Sequence, residues 1–118
     1  MSLLTVSCKK ENEVNPSSSA PARAINVEYR ITSETSSVNA LYLYPDANGK
    51  LISTQQVINR SPYSITFAST TGNFFSVEAA NVVAQHKMVN VQIYIDGVLF
   101  QEATSYSPSQ KAVASGNY

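Results

Sequence analysis

The stretch Val89-Asn90-Val91-Gln92-Ile93-Tyr94-Ile95 alternates apolar and polar residues without interruption and stops at Asp96-Gly97. Period-two alternation puts Val89, Val91, Ile93 and Ile95 on one face of a strand and Asn90, Gln92 and Tyr94 on the other, a pattern that a helix with its 3.6-residue turn cannot segregate. An Asp-Gly pair accepts the backbone of a tight two-residue hairpin, so Val98 to Tyr106 is predicted to return antiparallel.

The rest of the chain from Ile25 repeats this logic. Val27, Tyr29 and Ile31 share one face while Glu28 and Arg30 take the other. Val38 to Tyr44 is a second run, closed by Pro45-Asp46-Ala47-Asn48-Gly49, in which proline presets a turn and Asn-Gly completes it. Lys50 to Ile58 is a third run. Ser61-Pro62 separates it from a fourth built on Tyr63, Ile65 and Phe67, and Gly72-Asn73 separates that from Phe75, Val77 and Ala79. Nothing has helical periodicity. Short strands at this spacing predict an all-β domain, a seven-stranded antiparallel immunoglobulin-like β-sandwich, although the chain has no Trp and so lacks the Cys-Trp-Cys signature of antibody domains.

Cys8, the single cysteine, follows the apolar-small run Leu3-Leu4-Thr5-Val6-Ser7 and precedes Lys9-Lys10-Glu11. A small residue before a cysteine behind an apolar segment is the pattern at which a bacterial signal peptidase leaves the thiol as an acylated first residue. Residues 1–8 are therefore read as the remnant of a lipoprotein signal peptide. The run is short and has no basic segment before it, so the complete signal peptide is expected to begin upstream of Met1, or the segment has been trimmed. The competing reading is a lone cysteine in a disordered cytosolic tail. Residues 9–24 are expected to be a disordered tether, because Glu11 to Ala24 is rich in Ser, Pro and Ala and has too little apolar surface to offset the entropy of ordering. The sandwich is expected over residues 25–118, and with one cysteine in the chain it must hold together without an internal disulfide.

Charge excludes one partner class. The sequence has 8 basic and 8 acidic residues, and no two basic residues are adjacent after Lys10, so no nucleic acid is expected as a partner. No segment approaches the roughly 18 apolar residues that span a bilayer as a helix. Membrane association is expected through lipid on Cys8, in the periplasm or on the surface of the outer membrane.

Catalytic chemistry is not expected. His86 is the single histidine, placed where a turn gives way to a strand, and reads as an exposed loop imidazole. No His, Cys or carboxylate pair has metal-ligand spacing, so no metal and no cofactor is expected. Asp46-Ala47-Asn48-Gly49 lacks the closing Glu of a calcium loop. Glu28, Glu34, Glu78 and Glu102 are scattered, and no Gly-x-Ser-x-Gly elbow occurs. Binding remains. Of the 7 tyrosines, Tyr29, Tyr42, Tyr44 and Tyr63 are expected in the core or at its edges. Asn90, Gln92 and Tyr94 form the candidate partner-binding face.

The succession Val27-Glu28-Tyr29-Arg30-Ile31, Tyr44 at the end of the second strand, the Ser61-Pro62-Tyr63-Ser64 step and the Val-Gln-Ile-Tyr-Ile-Asp-Gly-Val run at 91–98 together resemble the mycobacterial small membrane protein family, MmpS. That family carries a short β-sandwich outside the membrane, and similar domains occur in lipoproteins of the Bacteroidetes, whose surface-export signals the charged residues after Cys8 also resemble. Two departures stand out: Tyr63 occupies the place of the family's usual Trp, and the anchor would be a lipid instead of a transmembrane helix. The resemblance implies an accessory role to an envelope protein or transporter. The alternative is a surface adhesive or glycan-binding module.

Overall fold

The computed structural model describes residues 21–35, 37–82 and 86–118. Cys8 and most of the expected tether lie outside them. The described residues form eight strands: β1 (Ala24–Ser33), β2 (Val38–Pro45), β3 (Leu51–Ile58), β4 (Tyr63–Thr70), β5 (Phe74–Asn81), β6 (Val89–Ile95), β7 (Val98–Ser105) and β8 (Ala112–Asn117). They make two four-stranded sheets, ordered β4-β1-β6-β7 and β3-β2-β5-β8, with every pairing antiparallel. The sheets pack as a sandwich.

The expected class is the one observed, with a correction from seven strands to eight. The additional strand is β8, Ala-Val-Ala-Ser-Gly-Asn. Its polarity is inverted: Ala112 and Ala114 are buried, whereas Val113 is 44% exposed. Small residues mark its core side, and the one β-branched residue points outward. Alternation of large apolar side chains, the usual mark of a strand, is therefore missing.

Alternation elsewhere translates directly into burial. Ile25, Val27, Tyr29 and Ile31 of β1 and Val89, Val91, Ile93 and Ile95 of β6 face Val38, Ala40 and Tyr42 of β2 and Phe75, Val77 and Ala79 of β5 across the core. Complete burial of each Val, Ile or Phe contributes about 1.5–3 kcal/mol, which is what holds a domain of this size without a crosslink. An aromatic cluster closes one end: Tyr29 meets Phe67 at 5.3 Å and Tyr42 at 5.9 Å, and Tyr44 meets Phe67 at 5.4 Å, all edge to face. Such pairs add about 0.5–1.5 kcal/mol each beyond their buried area.

Two connections are hairpins within a sheet, β2–β3 and β6–β7, and the others cross between sheets. In the β6–β7 hairpin Ile95 opposes Val98, and both turn residues have positive φ, 50° at Asp96 and 81° at Gly97. Those are the values that the Asp-Gly pair predicts. Asp96 also binds the start of β1. Its Oδ1 accepts from the Asn26 N–H at 2.8 Å and its Oδ2 accepts from Arg23 Nη1 at 3.1 Å. The Asn26 hydrogen bond, and then Arg23, hold the exposed Asp96 carboxyl below the usual carboxylate range.

Where β7 crosses to β8, backbone and ring come unusually close. The Phe100 ring lies 3.0 Å from the point where a side chain at Gly116 would begin, and meets Tyr118 edge to face at 5.1 Å. Phe100 is the residue left unpaired at the irregularity in the β6–β7 register, between Leu99 and Gln101, and it packs against the core at this edge.

Candidate functional site

The outward face of the β4-β1-β6-β7 sheet carries a polar network that runs across all four strands. β1 and β6 are direct neighbours, with Arg30 opposite Gln92 and Glu28 opposite Tyr94. β4 brings Ser64 opposite Arg30, and β7 brings Glu102 opposite Gln92 and Thr104 opposite Asn90. Each of these side chains points outward because its strand neighbours point into the core.

At one end, Ser64 Oγ donates to Glu28 Oε2 at 2.9 Å, and the same oxygen accepts from Arg30 Nε and Nη2 at 3.2 and 3.1 Å. The Arg30 guanidinium lies over the Tyr94 ring, 4.5 Å from its centre, and Nη1 is 3.4 Å from the Tyr94 hydroxyl. Tyr94 in turn donates to Gln92 Oε1 at 3.3 Å. Gln92 Nε2 donates to Glu102 Oε2 at 2.9 Å, and Asn90 Nδ2 donates to the same oxygen at 3.1 Å and to Thr104 Oγ1 at 2.8 Å. Singly, solvent-facing contacts of this kind are worth about 0.2–1 kcal/mol, so the network orients side chains far more than it stabilises the fold.

This orientation leaves acceptors for a ligand. Glu28 Oε1, Glu102 Oε1 and Asn90 Oδ1 take no hydrogen bond from the described residues, while their neighbours fix the side chains in place. Of the three, Asn90 lines a broad open depression of about 580 Å³ on this face, together with Arg30, Thr32, Gln92, Tyr94 and Tyr106, among others. Tyr106 is 65% exposed, a phenol on the rim. A group that donates several O–H or N–H hydrogen bonds and offers a flat apolar patch matches these features.

Asn90, Gln92 and Tyr94, singled out by alternation alone, do share this outward face. Tyr94 is only half exposed, because Arg30 covers one side of its ring. Arg30, Glu28, Ser64, Glu102, Thr104 and Tyr106 were not anticipated as part of it. Alternation places Glu28 and Arg30 outward, but the pairing of β1 with β6, more than fifty residues away in the chain, leaves no local mark. Tyr29 and Tyr42 are buried and Tyr63 half-buried, as expected, while Tyr44 sits at the exposed edge. His86 is exposed. Cys8 lies outside the described residues.

Among the described residues, no three His, Cys, Asp or Glu side chains gather where a metal ion could sit. No helix among them is long and apolar enough to cross a membrane. No protein-family model matches the chain, and no curated protein matches it either.

Proposed function

We propose that this chain is a non-catalytic, lipid-anchored envelope protein whose sandwich binds a polar partner through the outward face of β4-β1-β6-β7. The observation that carries this reading is the continuous network from Ser64 to Thr104, which holds Arg30, Tyr94, Gln92 and Asn90 in fixed positions beside an open depression. A solvated sheet face needs no such organisation. Fixed side chains lose little entropy on binding, which is what a recognition surface requires.

Lipid on Cys8 would confine the domain to the envelope, with the Ser-rich, Pro-rich stretch after it as the tether. The likeness to the MmpS family supports an accessory role in a membrane transport system. A second reading, recognition of a surface glycan, draws on the exposed Tyr106 and the Asn90 Oδ1 at the depression, with the free oxygens of Glu28 and Glu102 elsewhere on the same face. A flat phenol stacks on a sugar ring, and carboxylate and amide oxygens accept from its hydroxyls.

The test is a Gln92→Ala plus Tyr94→Ala double variant in cells that carry the complete protein. Both side chains are outside the core, so the melting temperature should stay within a few degrees of the parent, while crosslinking to the native partner in the envelope should be lost. Unchanged crosslinks in a folded variant would exclude this face. Added glycan that competes with the crosslinks favours the second reading, and insensitivity to glycan favours the first.

A further inference from the structure

A sheet ends in two edge strands whose outer N–H and C=O groups have no ladder partner, and folded proteins guard such edges with charge, irregularity or cover. Of the four edges here, three are guarded. β7 carries Glu102 and the register irregularity at Phe100. β8 is six residues long and has the Phe100 ring and the Gln101 side chain against Gly116. β3 is flanked by the exposed cations Lys50 and Arg60, and an antiparallel copy centred on its middle would bring the one against the other.

β4 has no such guard among the described residues. From Tyr63 to Asn73 the chain carries no charge, and Tyr63–Thr70 contains neither Pro nor Gly. Its register against β1 is unbroken from end to end. The direction of its free groups follows from one bond. Thr71 N–H donates to Arg23 C=O at 2.9 Å, in line with that register, so odd-numbered residues bond β1 and even-numbered ones point their groups at the open edge. Those are Ser64, Thr66, Ala68 and Thr70, all exposed.

We propose that β4 is a self-association edge, where two copies of this chain pair antiparallel about a two-fold axis at Phe67, with Ser64 opposite Thr70 and Thr66 opposite Ala68. A two-fold axis normal to the sheet keeps each residue on its own face, so even-numbered residues meet even-numbered ones and their free groups exchange bonds. This register uses all four residues of both copies. A slip of two residues one way sets Thr70 against Pro62, which has no N–H, and the other way sets Ser64 against Gly72 in the turn. The side chains match as well. Ser64 Oγ gives its proton to Glu28 at 2.9 Å and keeps its lone pairs free, whereas Thr70 Oγ1 accepts from Asn73 Nδ2 at 3.2 Å and donates to none of the described residues. Thr70 of one copy can therefore donate to Ser64 of the other, twice by symmetry. The pairing joins two β4-β1-β6-β7 sheets edge to edge and sets two copies of the polar network side by side on one surface.

A single strand pair is a small interface, below the roughly 1,200 Å² of standard complexes, so association is read over a wide concentration range. The full chain, made without lipid and kept reduced so that Cys8 forms no disulfide, would be sedimented from micromolar to millimolar concentration, with amide exchange followed residue by residue at both ends of that range. The expected result is a monomer–dimer equilibrium, with exchange slowed at Ser64, Thr66, Ala68 and Thr70 in the dimer and unchanged at Ser53 and Gln55 on β3. Thr66→Pro removes a free N–H without touching the β1 ladder, and should weaken the dimer roughly ten-fold or more. Ala68→Lys sets like charges diagonally across the axis and should weaken it roughly three-fold or more, with the larger effect at low salt. This second variant keeps every backbone group and decides the matter even if Thr66→Pro fails to fold. A monomer at every concentration, which would leave the edge to an extended segment of another protein, overturns the proposal. So does a dimer whose protection falls on another strand, or one that Ala68→Lys leaves as tight as the parent.

Discussion

The Tyr29 hydroxyl donates to the Leu43 carbonyl at 2.6 Å, across the core from one sheet to the other. The regular pairing of β2 with β5 stops at Tyr42 opposite Val77, so Leu43 and Ser76 would be the next pair. The Tyr29 hydroxyl reaches this point and gives its proton to the Leu43 carbonyl. A side chain from β1 thereby satisfies a backbone carbonyl of the opposite sheet where its ladder ends.

Tyr29→Phe keeps the ring and removes this bridge. It should cost about 1–3 kcal/mol, the penalty of a sheltered backbone carbonyl left without its donor, read as a lower denaturant midpoint at unchanged slope. The same phenol gives the protein an alkaline limit. Burial pushes the Tyr29 ionisation well above the usual tyrosine value, against the smaller opposing effect of the Ser76 N–H, and burial raises Tyr42 in the same direction. A group raised in the folded state contributes stability that is complete below its unfolded value, about 10, and drains away as pH climbs from there toward the folded value. Denaturant midpoints should fall above pH about 10, and fall less steeply in Tyr29→Phe. An identical pH dependence in the two proteins would mean that Tyr29 is not the group responsible.

The β6–β7 turn offers a local test. Gly97 has open space around the position of a side chain, so a substitution there meets no clash and reports backbone conformation alone. With φ at 81°, Gly97→Val should lower stability by roughly 1–3 kcal/mol. Thermal melts of the two proteins measure it directly, and coincident curves would refute the positive-φ turn.

How much of this could be read from the sequence depended on whether the signal was local. β6 and its hairpin were fully legible: four buried residues at period two, then Asp-Gly. β1 was legible for the same reason. β8 was not, since its buried residues are Ala112 and Ala114 and its large residue faces out. The partnership of β1 with β6 was beyond reach, because a register between distant strands is decided by packing across the whole sandwich. That is why Asn90, Gln92 and Tyr94 were found and Arg30, which lies over Tyr94, was not.

Anchoring can be tested apart from the fold. In cells that make the protein with its complete signal peptide, Cys8→Ala should move it from the membrane pellet to the soluble fraction, because a diacylated or triacylated cysteine holds a protein on a bilayer and an alanine does not. Equal distribution of the two forms would remove the lipid anchor from the account.

The central claim is that the network-bearing face of β4-β1-β6-β7 meets the partner. The most direct measurement places a photoreactive residue at Thr104, on the edge of that face, and in a second protein at Asn48, exposed in the β2–β3 turn, and irradiates living cells. The account predicts a discrete envelope adduct from position 104 that disappears when Gln92→Ala and Tyr94→Ala are added, with none from position 48. Adducts from 48 alone, or adducts from 104 that survive the double substitution, would contradict it.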